Sequence, residues 1–147
     1  MESQENTIIL STSQFGDIQI GQDQVFIFPD GLLGFENLKK YVLISDEETE
    51  PFKWLISLDE PSIGFPLISP YFIDYEYDIN KKIDSNNQVI FAIVTLQNEN
   101  KRITANLKAP LIIDLELMQG EQLLLPTEKY STSFEIVVDT EKGDKQC

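Results

Sequence analysis

Acidic side chains are the residues of this sequence best suited to chemistry. The segment Phe72–Ile79 reads FIDYEYDI and places Asp74, Glu76 and Asp78 at every second position. The 147 residues include no histidine and a single cysteine, Cys147. This composition excludes Ser-His and Cys-His nucleophiles, the commonest zinc ligand and any intramolecular disulfide. Carboxylates would have to carry any catalysis or metal binding.

Two forms of carboxylate chemistry can be tested against the spacing of these acids. A calcium loop of the EF-hand type that begins at Asp74 requires glycine sixth and glutamate twelfth, but these positions hold Ile79 and Ser85. Two carboxylates about 5 to 10 Å apart could cleave a glycosidic bond, although the pattern marks neither partner for burial. We therefore expect no metal and no cofactor, and keep a carboxylate-based hydrolase and a small-ligand-binding barrel as alternative functions.

The acids have a different use if residues 72–78 form a strand. They would then stand about 7 Å apart on one side of it, either as a solvated edge that prevents sheet pairing or as a docking surface for a basic partner. The chain has 11 basic and 25 acidic residues, a net charge of −14. Such a charge repels nucleic acids and anionic membranes, and it favours a basic protein partner. The candidate contact residues are Asp74, Tyr75, Glu76, Tyr77 and Asp78.

The elements that must position these residues are predicted to be strands. Short runs rich in Ile, Val, Phe and Tyr alternate with Gly, Pro, Asn and Asp, a pattern typical of an all-β domain. The expected strands span residues 7–10, 15–20, 24–28, 40–45, 53–58, 64–69, 72–78, 89–96, 103–108, 110–118, 121–125 and 131–138. Because so many strand edges must be covered, we predict a small antiparallel barrel-like fold, with a two-sheet β-sandwich as the alternative.

The pattern also assigns places within this fold. Residues 89–96 are apolar on both faces and should form the central, fully covered strand, whereas residues 111–118 alternate and should form a half-buried strand near an edge. The length fits one domain over residues 1–147, with frayed ends at 1–6 and 139–147. The polar segment 80–87 should be a surface loop.

A pair of glycines is expected to shape a turn. Gly31 and Gly34 bracket Leu32 and Leu33, so the backbone can adopt positive φ at both ends while the two leucines tuck under the turn. A phosphate-binding loop would need a third glycine, a preceding strand and a following helix. We therefore assign these glycines a structural role.

Three further residues are expected to support the fold. Trp54 alternates with the other apolar residues of segment 52–58 and should belong to the core. In the segment TANLKAP, Asn106 can hydrogen-bond neighbouring main-chain groups, and Pro110 marks a strand start or a bulge.

These motifs, in this order and spacing, resemble the FliW family of flagellar assembly factors over nearly the whole chain. The matching segments are GLLGFE at 31–36, FKWLISLD at 52–59, DYEYDI at 74–79, TANLKAPLII at 104–113, GEQLLL at 120–125 and KYS at 129–131. The resemblance implies a cytoplasmic β-barrel protein, not an enzyme, that binds flagellin and also binds CsrA, a basic translational repressor that holds RNA. It further implies partner switching, in which flagellin and CsrA compete for the protein. The high negative charge favours a monomer on its own.

Two positions depart from the family pattern. Residues 132–135 read TSFE where the family has a basic Arg-His-Pro pattern, so any role of that basic segment does not carry over. Leu33 stands where the family often has proline, which should change only the local stiffness of the turn.

Overall fold

A computed structural model of the chain describes residues 7–97 and 102–136. The strands are β1 (Thr7–Thr12), β2 (Gly16–Gly21), β3 (Val25–Ile27), β4 (Lys40–Ser45), β5 (Lys53–Ser57), β6 (Gly64–Ile68), β7 (Gln88–Gln97), β8 (Arg102–Asp114), β9 (Gln119–Gln122) and β10 (Phe134–Ile136). Two 3-10 turns span Gln22–Gln24 and Glu47–Thr49, and one helical turn, α1, spans Pro70–Ile73. The frayed ends predicted at 1–6 and 139–147 lie outside the described residues.

Seven strands close into a barrel, which confirms the predicted fold. The strand order is β8-β7-β6-β5-β4-β3-β9, and β9 pairs again with β8. Every pair is antiparallel except β3 with β9, where Ile27 lies opposite Gln119. Strand β10 adds to the free side of the first half of β8, and β1 and β2 form a separate hairpin. The closure removes sheet edges that would otherwise be exposed to pairing.

Alternate residues of the strands build one core inside the barrel and two on its outside. The interior cluster consists of Phe26, Phe28, Leu32, Tyr41, Leu55, Leu67, Leu111 and Ile113. Outside β4 and β5, the β1–β2 hairpin packs Leu10 and Ile20 on Val42, Trp54 and Ile56. The second outer cluster covers β6, β7 and β8 with side chains from connecting segments, among them Tyr77 and Tyr130. Strands β4, β5, β6 and β8 therefore bury residues of both parities.

Trp54 and strand β7 occupy the places that the sequence predicts. The Trp54 side chain is buried, and its indole Nε1 donates a hydrogen bond to Thr49 Oγ1 at 2.9 Å. Strand β7 lies between β6 and β8, with Ile90, Ala92 and Val94 buried on its outer face. The prediction of a core tryptophan is confirmed. Strand β7 is central as predicted, but it is not fully covered, because Leu96 is 46% exposed.

The strand predicted at residues 72–78 is wrong. The chain forms the helical turn α1 there and then an irregular segment as far as β7. Pro70 occupies the first turn of α1, where its missing N–H costs nothing. The carboxylate Oδ1 of Asp74 then accepts a hydrogen bond from Glu76 N at 3.0 Å, which favours a turn over a strand ladder.

The strand predicted at 110–118 is also corrected. It continues the strand predicted at 103–108 as the single long strand β8, and it ends at Asp114. The Asp114 carboxylate accepts hydrogen bonds from Glu116 N at 3.0 Å and Leu117 N at 2.8 Å. These bonds turn the chain toward β9, so residues 115–118 form a turn.

Candidate functional site

Residues 71–78, called the acidic loop below, contain all the contact residues predicted from the sequence. The loop leaves the barrel after β6 and is held by its own backbone. Phe72 N donates to Ser69 O at 3.0 Å, and Asp74 N donates to Pro70 O at 2.9 Å. Tyr77 N donates to Asp74 O at 2.9 Å. These bonds hold the backbone of the loop, so little backbone entropy would be lost on binding.

Tyr77 points inward and anchors the loop to the barrel. Its side chain is 3% exposed, and its hydroxyl donates a hydrogen bond to Leu107 O at 2.5 Å. Its ring centroid lies 4.6 Å from that of Tyr130, whose hydroxyl accepts a hydrogen bond from Asp78 N at 2.9 Å. Burial raises the pKa of Tyr77, and the nearby Tyr130 and Tyr71 phenols add to the shift. The Tyr77 phenol therefore stays protonated as a donor, and the predicted surface position of Tyr77 is wrong.

Two other aromatic side chains point outward from the same loop. Phe72 is 70% exposed and Tyr75 is 84% exposed, and Tyr71 beside them is 42% exposed. Exposed large aromatic residues on a rigid base are typical of the anchors that dominate protein interfaces. Sequence reasoning missed Phe72, although Pro70 in the pair Ser69-Pro70 is a recognised signal for the start of a helical turn.

The three acids of the loop do not form the predicted ladder, because no strand spaces them. Glu76 and Asp78 are not aligned with Asp74 along one strand face, and Asp74 is half-buried while Glu76 is exposed. Asp78 Oδ1 accepts a hydrogen bond from Asn80 N at 2.8 Å, just as Asp74 Oδ1 accepts one from Glu76 N. Asp74 and Asp78 therefore shape the loop, and the three acids add negative charge to the segment that exposes Phe72 and Tyr75.

This arrangement suits binding better than carboxylate catalysis. A glycosidase needs a carboxylic acid held in an apolar enclosure, so that it keeps its proton at neutral pH, whereas Glu76 and Asp78 face solvent. Within residues 7–97 and 102–136, no group of three His, Cys, Asp or Glu side chains is placed to hold a metal ion. The exposed aromatic and acidic side chains of the acidic loop are instead suited to contacts with a macromolecule.

A bulge in β8, residues 107–110, supports the acidic loop from beneath. Between the pairs Phe91–Leu111 and Ile93–Asn106 the register shifts, so β8 contains extra residues there. The side-chain oxygen of Asn106 accepts hydrogen bonds from Lys108 N at 3.2 Å and Ala109 N at 2.9 Å. The predicted main-chain bonding of Asn106 is confirmed.

The bulge also ties together segments that are distant in sequence. Pro110 is fully buried within it, as expected of a proline that marks a bulge. Carbonyl groups of the bulge accept hydrogen bonds from Leu125 N and Leu123 N at 2.8 and 2.9 Å, in addition to the bond from Tyr77. A change at Asn106 should therefore be felt at the acidic loop.

The glycine loop, residues 31–36, agrees with the prediction in its backbone and differs in one side chain. Gly31 and Gly34 have φ of +66° and +87°. A Cβ on Gly31 would lie 2.7 Å from Phe35 O, so only glycine fits there. Leu32 is buried as expected, but Leu33 is 57% exposed. The leucines therefore do not both tuck under the turn.

These features define a class: a small closed β-barrel whose outer loop presents aromatic and acidic side chains from a rigid base. The model of the family described as FliW protein matches residues 9–136. The chain is 33% identical over 149 residues to the flagellar assembly factor FliW of Alkaliphilus metalliredigens, in a match that covers 95% of this chain and 92% of the relative. The chain belongs to the FliW family.

Further relatives and a solved structure agree with this assignment. The flagellar assembly factor FliW of Caldanaerobacter subterraneus subsp. tengcongensis is 40% identical over 131 residues, covering 82% of this chain and 87% of the relative. A crystal structure of the flagellar assembly factor FliW superposes with a TM-score of 0.81 at 27% identity, covering 90% of this chain and 99% of that one. Among the described residues, no helix is long and apolar enough to cross a bilayer.

Proposed function

We propose that this chain acts in the cytoplasm as a non-enzymatic flagellar assembly factor that captures two proteins in turn, flagellin and the translational regulator CsrA. Unexported flagellin would occupy the protein and leave CsrA free to repress translation. After flagellin export, the free protein would capture CsrA and relieve the repression. Residues 1–147 would act as one domain. This domain would be a monomer, because a net charge of −14 opposes self-association.

The observation that carries this proposal is the exposure of Phe72 and Tyr75 on a loop rich in carboxylates. A repressor that binds RNA is basic, so the negative loop would attract it at long range. The two aromatic side chains would then bury apolar area against it, and the hydrogen-bonded backbone of the loop would limit the entropy lost on binding. Of the five contact residues predicted, Tyr75 and the three acids remain candidates for direct contact, and Tyr77 becomes a support.

The test measures binding of the wild type and of Phe72→Ala and Tyr75→Ala to immobilised CsrA. Truncating an interface anchor costs about 2 kcal/mol or more, so each change should weaken binding about 30-fold, mostly through faster dissociation. Leu117→Ala is the matched control, since Leu117 is also exposed but lies in the turn after β8. CsrA binding that is equal in all four proteins would exclude the acidic loop as its docking surface. A wild type that binds neither CsrA nor flagellin would refute the proposed function.

A further inference from the structure

A second surface of the barrel differs from the acidic loop in its chemistry. An open cleft of about 540 Å³ lies where β6 begins and β7 ends, whereas the acidic loop follows the end of β6. Its lining includes the side chains of Leu33, Phe35, Phe65, Leu96, Asn106 and Gln122. Phe65 also packs against the interior cluster, so the cleft opens over the core at one end of the barrel.

The walls of this cleft are held in place by specific contacts. The side-chain oxygen of Gln122 accepts a hydrogen bond from Leu33 N at 2.8 Å, and its amide nitrogen donates to Ala109 O at 3.0 Å. Gln122 thereby bridges the glycine loop and the bulge of β8. The rings of Phe35 and Phe65 meet edge to face, with centroids 5.1 Å apart. Leu33 is thus presented to solvent on a fixed backbone.

The described lining of the cleft is also uncharged, and the cleft is called the neutral cleft below for that reason. None of the described residues that line it is Asp, Glu, Lys or Arg, in a chain with 25 acidic residues. Its polar groups are amides and hydroxyls, which can pair with uncharged donors and acceptors. A charged partner segment would lose hydration there without gaining an ion pair. An apolar segment would bury the exposed surfaces of Leu33, Phe35 and Leu96 at no such cost.

We propose that the neutral cleft is a second protein-binding site, and that it takes an uncharged segment presenting a few large apolar side chains, such as one face of an amphipathic helix. This assignment rests on the proposed function, which names two partners. CsrA is basic and suits the acidic loop, whereas flagellin need not be basic and therefore suits the uncharged cleft. The acidic loop and the neutral cleft would then serve different partners by different physical means. Exchange of the two partners would depend on the bulge of β8, which is hydrogen-bonded to both surfaces.

The test compares Leu33→Asp with Leu117→Asp, since both leucines are more than half exposed and both changes add one negative charge. Binding of each variant and of the wild type to purified flagellin and to purified CsrA is measured, together with its melting temperature. Leu33→Asp should weaken flagellin binding about 30-fold and leave CsrA binding and the melting temperature unchanged. Leu117→Asp should change neither complex.

The remaining outcomes separate the possible failures. Equal flagellin binding by Leu33→Asp and the wild type would overturn the assignment of the neutral cleft and leave the proposed function intact. Equal loss of both partners at an unchanged melting temperature would place both on one surface and also overturn it. If the wild type self-associates and Leu33→Asp is monomeric, the cleft binds a second copy of the chain and the assignment to flagellin is overturned. A wild type that binds neither protein would refute the proposed function itself.

Discussion

The acidic loop and the neutral cleft share a support and both expose apolar side chains, but they differ in the charge that they present to a partner. The bulge of β8 holds both, since Leu107 O accepts the Tyr77 hydroxyl and Ala109 O accepts the Gln122 amide. The acidic loop carries three carboxylates in the same segment as Phe72 and Tyr75, whereas the described lining of the cleft carries no charge. One backbone feature can therefore position two surfaces whose partners are selected by different forces.

The largest change in stability is expected within the acidic loop, which contains both a buried supporting tyrosine and an exposed contact tyrosine. Tyr77→Ala removes a buried ring and should lower the free energy of unfolding by about 3 to 5 kcal/mol. Tyr75→Ala, only two positions away, removes an exposed ring and should stay within about 0.5 kcal/mol of the wild type. Chemical denaturation of both variants measures the difference. Similar losses of stability in the two would mean that the loop does not divide into an inner anchor and an outer contact.

The same pair of tyrosines shows how far the sequence predicts this fold. The strands that alternate strictly or are apolar on both faces, such as β5 and β7, are visible in the sequence because side-chain parity matches burial. Residues 73, 75, 77 and 79 also alternate, but tertiary contacts determine their burial. Tyr77 is buried because it reaches Leu107, a residue 30 positions away. A local pattern contains no information about that contact.

Some of the missed structure did leave local signals. Asp74, Asp78 and Asp114 each accept a hydrogen bond from the backbone N–H two residues later, and this local bonding by Asp ends strands and forms turns. The closure of the barrel left no local signal in the sequence, because β3 and β9 meet through the single pair Ile27 and Gln119, which are far apart in the chain. The neutral cleft was missed for the same reason, since its lining comes from several strands and the glycine loop.

The shared support can be weakened without changing any residue of the acidic loop. Asn106→Ala leaves the backbone N–H groups of Lys108 and Ala109 without their acceptor, which should cost about 1 to 3 kcal/mol of stability and weaken both complexes. Asn106→Asp keeps an acceptor oxygen and should be closer to the wild type in stability. Because Asn106 also lines the neutral cleft, the new charge should weaken flagellin binding more than CsrA binding. Melting temperatures and both affinities measure this, and equal losses for the two partners with Asn106→Asp would contradict separate sites.

The smallest effect, and the sharpest contrast between the two surfaces, concerns the rate of encounter. The triple variant Asp74→Asn, Glu76→Gln and Asp78→Asn removes three negative charges. Each asparagine keeps a side-chain oxygen that can accept the backbone hydrogen bond made at positions 74 and 78. The turns that shape the acidic loop should therefore persist, so the variant isolates the effect of charge.

Charges at an interface rim act mainly on association, and salt screens them beyond a Debye length of about 8 Å at physiological ionic strength. The triple variant should therefore bind CsrA several-fold more slowly at low salt and with a flatter salt dependence, while its dissociation rate changes little. Flagellin association should not respond, because the described lining of the neutral cleft has no charge to steer it. Stopped-flow measurements at two salt concentrations, with both partners, give all the rates. An unchanged CsrA association rate would leave Asp74 and Asp78 with a role in shaping the loop alone, through the turns that they hold, and would leave Glu76 without a role in CsrA capture.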